Sequence, residues 1–212
     1  MIAARDCVLI LLAAGRSARF GPQNKLGADL LGLPVGLHVV TALEDIPFRA
    51  RLAISGGGAL DFSTRGYTVI QNDQQDLGMS ESVKLGVARA REMEAAAVLI
   101  VLADMPRVTA AHIGRLLDAA DSSDAVVASS DGREPKPPVL FGRDRFDALL
   151  SLTGDRGARD LIRAGHHVVT SPAELIDIDT PEDLERLRRA VHATGRFCTS
   201  DPTDPDDWET SR

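Results

Sequence analysis

Residues 12–26 read LAAGRSARFGPQNKL and follow directly after the apolar run CVLIL at residues 7–11. The apolar run predicts a buried strand, and the small residues after it predict a loop whose backbone N–H groups can approach a ligand closely. Arg16, Arg19 and Lys25 bring positive charge to the same loop. Basic side chains beside free backbone donors suit a polyphosphate better than other common ligands. The alternative is an ordinary surface loop with solvated cations.

The chain has 212 residues, of which 24 are basic and 31 acidic, and its formal net charge is −7. This length favours one domain, which we expect over residues 1–193. Residues 194–212, five of which are acidic, lack apolar periodicity and are predicted to form a disordered tail. The acidic balance argues against nonspecific nucleic-acid binding. The apolar stretch near the N-terminus, about eight residues long, is too short to span a membrane, so we expect a cytoplasmic protein without a membrane partner.

Apolar runs alternate with amphipathic patterns along most of the chain. Helices are predicted at residues 80–91 and 110–119, and strands at residues 7–12, 52–54, 67–70, 98–102 and 125–128. Continuous apolar strands between amphipathic helices indicate an α/β fold, with a mostly parallel sheet covered by helices on both faces. The shorter apolar runs at residues 139–141 and 166–169 are expected to form an antiparallel edge of this sheet.

Asp104 directly follows the apolar run at residues 98–103. The carboxyl ends of strands in an open α/β sheet are the places where ligands bind. An aspartate there can instead cap the next helix, but Thr109 is better placed to cap a helix that begins near Ala110. The Asp104 side chain is therefore predicted to be available to a metal ion.

A second pair of carboxylates lies in the segment DIDT at residues 177–180. If this segment is extended, Ile178 points inward while Asp177 and Asp179 share the opposite face. Nucleotide-bound Mg²⁺ takes one or two carboxylates together with phosphate oxygens, so Asp104 and Asp179 are the candidate ligands. An acidic residue is also favoured just before a helix N-terminus, and the Thr-Pro pair that follows predicts one here. A purely structural role for Asp179 therefore stays open.

Two further loop-to-helix entries carry polar groups. GMSES at residues 78–82 offers backbone donors and hydroxyls to a base or ribose, although a plain N-cap by Ser80 would explain the same pattern. TGDRGAR at residues 153–159 carries two arginines that could grip an anionic acceptor, or it could be a surface turn with solvated charges. The chain has no G-x-G-x-x-G after the first strand and no GK[ST], which argues against a dinucleotide-binding or Walker-type site.

Five segments together resemble the family of molybdenum cofactor nucleotidyltransferases, within the larger group of Rossmann-like sugar-phosphate nucleotidyltransferases. They occur in the family's order: LAAGRSARFGPQNKL (12–26), GMSESVKLGV (78–87), LADMP (102–106), GDRGARDLI (154–162) and DIDTPEDL (177–184). The resemblance implies a Rossmann-like three-layer fold and a magnesium-dependent nucleotidyltransferase. The form LAAG is similar to the cytidylyltransferase branch, whereas the guanylyl branch usually carries Ala-Gly-Gly there.

The resemblance also implies roles for individual residues. Lys25 and Arg19 would hold the phosphates and, together with Asp104, form the catalytic group, while Asp104 and Asp179 would bind Mg²⁺. The nucleotide would contact the residues Leu12, Ala13, Ala14, Gly15, Arg16, Ser17, Arg19, Lys25, Gly78, Met79, Ser80 and Ser82. The acceptor would contact Arg156, Arg159 and Pro138.

One stretch departs from the family. Members that act on molybdopterin often carry Gly-His-Pro or Gly-Asn-Pro before the strand that matches residues 139–141, where this chain has Lys136-Pro137-Pro138. Pro137 offers no N–H donor, which leaves the acceptor open. We expect a cytidylyl group to pass from CTP to molybdopterin carrying molybdenum, with a molybdoenzyme or its maturation chaperone as a further partner. The alternatives are GTP as donor, another phosphate monoester as acceptor, or a molybdopterin-binding chaperone without catalysis.

Overall fold

The computed structural model describes residues 1–15, 18–20, 24–58, 60–153 and 157–195. Within these ranges the strands are β1 (Cys7–Ala13), β2 (Asp29–Leu30), β3 (Leu33–Pro34), β4 (Ala50–Ser55), β5 (Thr68–Gln71), β6 (Ala97–Leu102), β7 (Val126–Ser130), β8 (Pro135–Gly142) and β9 (His166–Val169). The helices are α1 (Val35–Ala42), α2 (Met79–Glu92), α3 (Ala110–Ala119), α4 (Phe146–Leu150), α5 (Gly157–Ala164) and α6 (Pro181–Gly195). Every strand and helix predicted above is present, with bounds that differ by a few residues at most.

Two of the predictions concern the C-terminal tail and the absence of a membrane-spanning segment. Helix α6 runs to Gly195, and residues 196–212, which make up most of the predicted tail, lie outside the described residues. No helix in the described part of the chain is long and apolar enough to cross a bilayer.

Seven strands form one sheet in the order β5-β4-β1-β6-β8-β7-β9. The pairs β1–β4, β1–β6, β4–β5 and β7–β9 are parallel, whereas β8 runs antiparallel to both of its neighbours, β6 and β7. The sheet is therefore mostly parallel, as the sequence predicts. Strands β2 and β3 form a separate antiparallel hairpin.

The position of the antiparallel strand differs from the sequence prediction. Strand β8 lies inside the sheet, and the edge strand β9 runs parallel to its partner β7. The apolar residues of β8 point to both faces, because Val139 and Phe141 enter one core while Leu140 enters the other. The short connection between β7 and β8 allows only a hairpin, which makes β8 antiparallel. A short apolar run indicates a strand but does not indicate which strands lie beside it. The predicted antiparallel strand exists, but its predicted position at the edge of the sheet was wrong.

The sheet is covered by helices on both faces. Along β1, Leu9 and Leu11 point into a core shared with α1 and α3, whereas Val8 and Ile10 point into a core shared with α2 and α4. None of these four side chains is more than 1% exposed. Burial on both faces is typical of a parallel strand at the centre of a three-layer α/β fold.

A third apolar cluster packs α6 against the β2–β3 hairpin and buries Leu184 and Leu187 of that helix. Phe20 and Ile178 belong to the same cluster, although they come from opposite ends of the chain. The residue before Phe20 is Arg19, and the residue after Ile178 is Asp179. This cluster therefore brings together two segments that carry candidate site residues.

Helix α2 approaches β1 closely at Gly86. A Cβ atom at this position would lie 2.7 Å from Cγ2 of Ile10, which is too short for two carbon atoms in contact. Only glycine therefore fits here without a shift of the helix or of the Ile10 side chain. The close packing sets the N-terminus of α2 beside the loop that follows β1.

A buried hydrogen-bond network lies behind β7 and β8. Nε2 of the fully buried His112 lies 2.7 Å from Oγ of Ser129, and that hydroxyl donates to the Pro138 carbonyl at 2.8 Å. The guanidinium of Arg115 donates to Nδ1 of His112 at 3.0 Å. The Ser129 hydroxyl donates its proton to the Pro138 carbonyl, so it can only accept from His112. Nε2 of His112 therefore carries the imidazole proton, and Nδ1 accepts the hydrogen bond from Arg115. The network therefore requires a neutral His112.

We expect the stability of the fold to fall in mild acid because of His112. Burial and the neighbouring Arg115 charge lower the pKa of His112 below its ordinary value of 6.5, against an opposing effect of Glu174. The unfolded chain then binds the proton more readily, so stability is full above pH 6.5 and is lost as the pH falls toward the lowered pKa. In His112→Gln, which cannot titrate, the free energy of unfolding should fall less between pH 7 and pH 5.

Urea unfolding at several pH values measures this effect. The control is His166→Gln, because His166 is exposed on the edge strand β9. Equal pH slopes in His112→Gln and the unmodified protein would contradict the assignment.

Candidate active site

A cleft of about 380 Å³ opens at the carboxyl ends of β1 and β6, beside the N-terminus of α2. It brings together most of the residues that were predicted to bind a nucleotide or a metal. The residues that line it are Leu12, Ala13, Ala14, Gly15, Arg19, Lys25, Leu26, Asn72, Gln75, Gly78, Met79, Ser82, Leu102 and Asp104. Arg16 and Ser17, which were predicted to belong to the same loop, lie outside the described residues.

Lys25 lies between two carboxylates that are distant from it in the sequence. Its Nζ donates to Oδ2 of Asp104 at 2.6 Å and to Oδ1 of Asp179 at 3.3 Å. Only 10% of the Lys25 side chain is exposed, so these charge-assisted bonds lie where water screens them little. Arg19, which is 72% exposed, donates to the other oxygen of Asp179 at 2.9 Å. The predicted phosphate-binding and metal-binding residues therefore form one cluster.

The backbone around Lys25 is held by a local cap. Oδ1 of Asn24 accepts hydrogen bonds from the N–H groups of Leu26 at 3.0 Å and Gly27 at 3.3 Å. These bonds close the short 3₁₀ turn Lys25–Gly27. The cap fixes the direction in which the Lys25 side chain leaves the loop.

Asp179 is positioned by its neighbours on both sides. The N–H of Ile178 donates to the carbonyl of Asp104 at 2.9 Å, which ties this segment to the end of β6. The hydroxyl of Thr180 accepts from the N–H of Asp183 at 3.2 Å, and Oδ2 of Asp183 accepts from the N–H groups of Thr180 at 2.9 Å and Asp179 at 3.3 Å. This reciprocal cap starts α6 as predicted. The Asp179 side chain has no part in it and pairs with the basic residues instead.

The carboxyl of Asp104 lies in a desolvated environment. Burial raises its pKa, the charge and hydrogen bond of Lys25 lower it, and the carboxylates of Asp177 and Asp179 raise it. Its Oδ1 atom is buried and has no hydrogen-bond partner among the described residues. A buried carboxylate oxygen without a partner is costly, and a divalent cation would satisfy it.

The donor set around Asp104 suits a hard cation that brings other ligands with it. The described ranges contain no group of three or more His, Cys, Asp or Glu side chains that could hold a metal ion. Two carboxylates, those of Asp104 and Asp179, lie at Lys25 in the described structure. Mg²⁺ commonly binds through one or two carboxylates and completes its shell with phosphate oxygens and water. The residues therefore fit a nucleotide-bound divalent cation.

The two carboxylates of the DID segment do not share a site. Ile178 is fully buried, as the sequence predicts. However, Asp177 is exposed and lines a second cleft, whereas Asp179 faces Lys25. The segment is an irregular connection into α6 and pairs with no described strand, so the alternation of a pleated strand does not apply to it.

The N-terminus of α2 forms the wall opposite the β1 loop. Gly78 precedes the helix with a φ of 91°, a conformation that a residue with a side chain rarely adopts. The hydroxyl of Ser82 accepts a hydrogen bond from Nδ2 of the buried Asn72 at 2.9 Å. Asn72 and Gln75 line the cleft but were missed by the sequence analysis. Asn72 directly follows β5, so its place at a strand end was the available signal.

The structure places Ser80 away from both positions that its sequence suggests, the helix cap and the lining of the nucleotide cleft. Helix α2 begins at Met79 with Gly78 as the residue before it, and no side chain makes a capping bond there. Ser80 is absent from the lining of the nucleotide cleft. Its hydroxyl is buried and has no hydrogen-bond partner in the described part of the chain. It faces a separate small pocket next to α5.

A second cleft of about 650 Å³ adjoins the first, and Leu102 borders both. It is lined by Arg159, one of the predicted acceptor-binding residues, and by Pro135 and Lys136 of β8. Pro138 is not in its lining: it is buried, and its carbonyl is bonded to Ser129. Arg156, the third predicted acceptor contact, lies outside the described residues.

Solved structures of other proteins share this architecture. A nucleotidyl transferase from Methanothermobacter thermautotroptrophicus superposes with a TM-score of 0.75 and 24% identity, covering 89% of this chain and 98% of the other. Rv0371c from Mycobacterium tuberculosis in complex with manganese superposes with a TM-score of 0.69 and 23% identity, covering 87% and 98%. At these identities the likeness shows the shared fold.

Sequence comparison identifies the family. The purine catabolism protein PucB of Bacillus subtilis is 34% identical over 200 residues, covering 86% of this chain and 96% of PucB. The phosphoenolpyruvate guanylyltransferase of Rubrobacter xylanophilus is 32% identical, covering 79% and 87%, and the molybdenum cofactor guanylyltransferase of Shewanella loihica is 25% identical, covering 86% and 95%. Residues 9–169 match the MobA-like NTP transferase domain. The chain therefore belongs to the MobA-like NTP transferase family and is a nucleotidyltransferase.

Proposed function

We propose that this enzyme transfers a cytidylyl group from CTP to molybdopterin carrying molybdenum and releases pyrophosphate. The observation that supports this proposal most is the cluster of Lys25, Asp104 and Asp179 at the end of a cleft lined by the loop residues Ala13 and Ala14. Several relatives at 24–27% identity are named molybdenum cofactor guanylyltransferases, which supports molybdopterin as the acceptor.

The basic residues of the cluster are suited to a triphosphate. Lys25 is buried at the inner end of the cleft, and Arg19 is exposed at its outer side. In this arrangement Lys25 would contact phosphate oxygens close to Asp104, while the exposed Arg19 would contact the pyrophosphate as it leaves. Both side chains would offset the charge that develops on the leaving group, which is the main requirement of phosphoryl-type transfer.

The charge balance of the cluster favours a divalent cation cofactor, for which we propose Mg²⁺. Lys25 and Arg19 carry two positive charges, and Asp104 and Asp179 carry two negative charges when ionised. The cluster is then neutral and cannot by itself compensate a triphosphate. Asp104 and Asp179 would hold the cation, which neutralises phosphate charge when it is bound. The manganese complex of the related fold of Rv0371c is consistent with such a cofactor.

The second cleft is the natural place for the acceptor. It meets the nucleotide cleft at Leu102, and its lining includes Asp177 on the far side of the DID segment from Asp179. For in-line transfer, an acceptor phosphate in this cleft would have to attack the α-phosphorus of the nucleotide from the side opposite the pyrophosphate. The protein would then act by positioning two substrates in line, without a covalent protein nucleophile.

A guanylyl transfer is the second candidate, and the relatives favour it. The phosphoenolpyruvate guanylyltransferase at 32% identity and the molybdenum cofactor guanylyltransferases are both named for this nucleotide. Ala14 supports CTP instead. It is 7% exposed and borders the cleft at a position where the guanylyl branch of the family usually carries glycine.

Asp104→Asn is expected to abolish most of the activity while the fold is kept. The amide keeps the shape of the side chain but removes the charge that would hold the cation and pair with Lys25. Turnover should fall by roughly two to four decades. Pyrophosphate release with CTP, molybdopterin and saturating Mg²⁺ measures it.

The matched control is Asp147→Asn, because Asp147 is exposed and pairs with Arg91 away from both clefts. Its turnover should equal that of the unmodified enzyme. Near-normal turnover in Asp104→Asn, with melting temperatures unchanged, would exclude Asp104 as the metal-binding residue.

CTP should be preferred over GTP by at least about tenfold, because one small steric difference in a pocket is typically worth about 1–3 kcal/mol. The methyl group of Ala14 would crowd a purine and fill space beside a pyrimidine. Ala14→Gly should therefore narrow the CTP/GTP ratio and leave the metal dependence intact. Competition kinetics with both nucleotides measure the ratio. A preference of the unmodified enzyme for GTP would transfer the proposal to the guanylyl branch.

A further inference from the structure

A small pocket of about 130 Å³ lies between the start of α2 and the start of α5. Its lining is mostly apolar and includes Ser80, Val83, Leu152, Ala158, Arg159 and Ile162. Apolar cavities of roughly 150 Å³ can hold a molecule of benzene. The pocket is therefore of the size that accommodates one six-membered ring.

The pocket contains one polar group whose bonding is incomplete. Ser80 is 4% exposed, and its hydroxyl has no hydrogen-bond partner among the described residues. A buried hydroxyl without a partner destabilises the fold, because no hydrogen bond offsets the cost of removing the hydroxyl from water. A ligand atom that hydrogen-bonds to Ser80 would remove this cost. The pocket therefore suits a ring that carries a donor or an acceptor at its buried end.

The position of the pocket connects it mainly to the second cleft. Arg159 and Ile162 line both the pocket and that cleft, whereas only Met79 is shared with the nucleotide cleft. A ring in the pocket would therefore belong to the molecule in the second cleft, which is the acceptor. The second cleft itself is rich in basic side chains, namely Arg133, Lys136, Arg159 and Arg163, against the acidic Glu134 and Asp177.

We infer that the pocket under Ser80 binds a neutral six-membered nitrogen-heterocycle ring at one end of the acceptor, while the basic cleft beside it binds the anionic remainder. This inference rests on the proposed function, which assigns the second cleft to the acceptor and supplies a pterin as the ring of that acceptor. It makes Ser80 a specificity-determining residue for the acceptor, although it is only two positions from Ser82 of the nucleotide cleft. The predicted role of Ser80 in nucleotide binding is replaced by this one.

Binding of pterin alone tests the pocket without any need for turnover. Backbone amide chemical shifts, followed during titration with pterin, should change at Ser80, Val83 and Ala158. Ser80→Ala should weaken pterin binding about fivefold, because one hydrogen bond is lost. Ala158→Phe should abolish it, because the new ring fills the pocket. Affinity for CTP should be unchanged in both variants.

Two controls separate the pocket from general effects. Ser151→Ala removes an exposed serine hydroxyl that donates to the Ala148 carbonyl, and it should change neither ligand's affinity. Ser82→Ala should weaken CTP but not pterin. Ser80→Ala should keep or raise the melting temperature, since it removes a buried hydroxyl that has no hydrogen-bond partner in the described structure. Ser80→Ala therefore tests the inference even if Ala158→Phe does not fold.

The results distinguish this inference from the proposed function. Pterin that does not bind, that binds Ser80→Ala as tightly as the unmodified protein, or that shifts the amides of residues 12–15 instead would overturn the pocket assignment. Pterin binding that depends on Ser80 would support it, even if no cytidylyl transfer to molybdopterin were found. Where transfer is found, Ser80→Ala should raise the KM for the acceptor about fivefold and leave the KM for CTP unchanged.

Discussion

The active site depends on the interaction of Lys25 with the carboxylates of Asp104 and Asp179. These groups are 79 and 154 residues away from Lys25 in the chain, and all three lie where water is partly excluded. Partly buried charges are costly when they are unpaired, so both carboxylates depend on Lys25, although their own negative charges repel each other. The apolar contact of Phe20 with the Ile178 cluster and the backbone bond from Ile178 to Asp104 hold the partners at these distances.

The end of β6 lies between the two clefts. Leu102 borders both clefts. Of the carboxylates on either side of Ile178, Asp177 lines the second cleft, whereas Asp179 pairs with Lys25 of the first. One side holds the lysine and arginine suited to a triphosphate, and the other holds a broader group of basic residues. A transfer enzyme needs its two substrates side by side with their reacting atoms in line, and this division supplies that arrangement. The buried network at His112, which bonds to the Pro138 carbonyl through Ser129, supports the wall of the second cleft.

Neighbouring residues of helix α2 line two different spaces, the nucleotide cleft and the small apolar pocket. Side chains two positions apart on a helix point in different directions. Ser82 therefore meets Asn72 in the nucleotide cleft, while Ser80 turns toward α5 and the small apolar pocket. The close approach of the helix to Ile10 at Gly86 holds its N-terminus between the nucleotide cleft and the small apolar pocket, both of which Met79 lines.

The sequence by itself determined the α/β class, the strands and helices, the basic loop after β1 and the carboxylate at the end of β6, because each is encoded by a local pattern of a few residues. The tertiary structure alone decided the neighbours of β8, since hydrophobic alternation does not specify strand order. It also decided the pairing of Asp179 with Lys25, the separation of Asp177 from it, and the turn of Ser80 away from the nucleotide cleft. These features depend on the packing of segments far apart in the chain, which no local pattern contains.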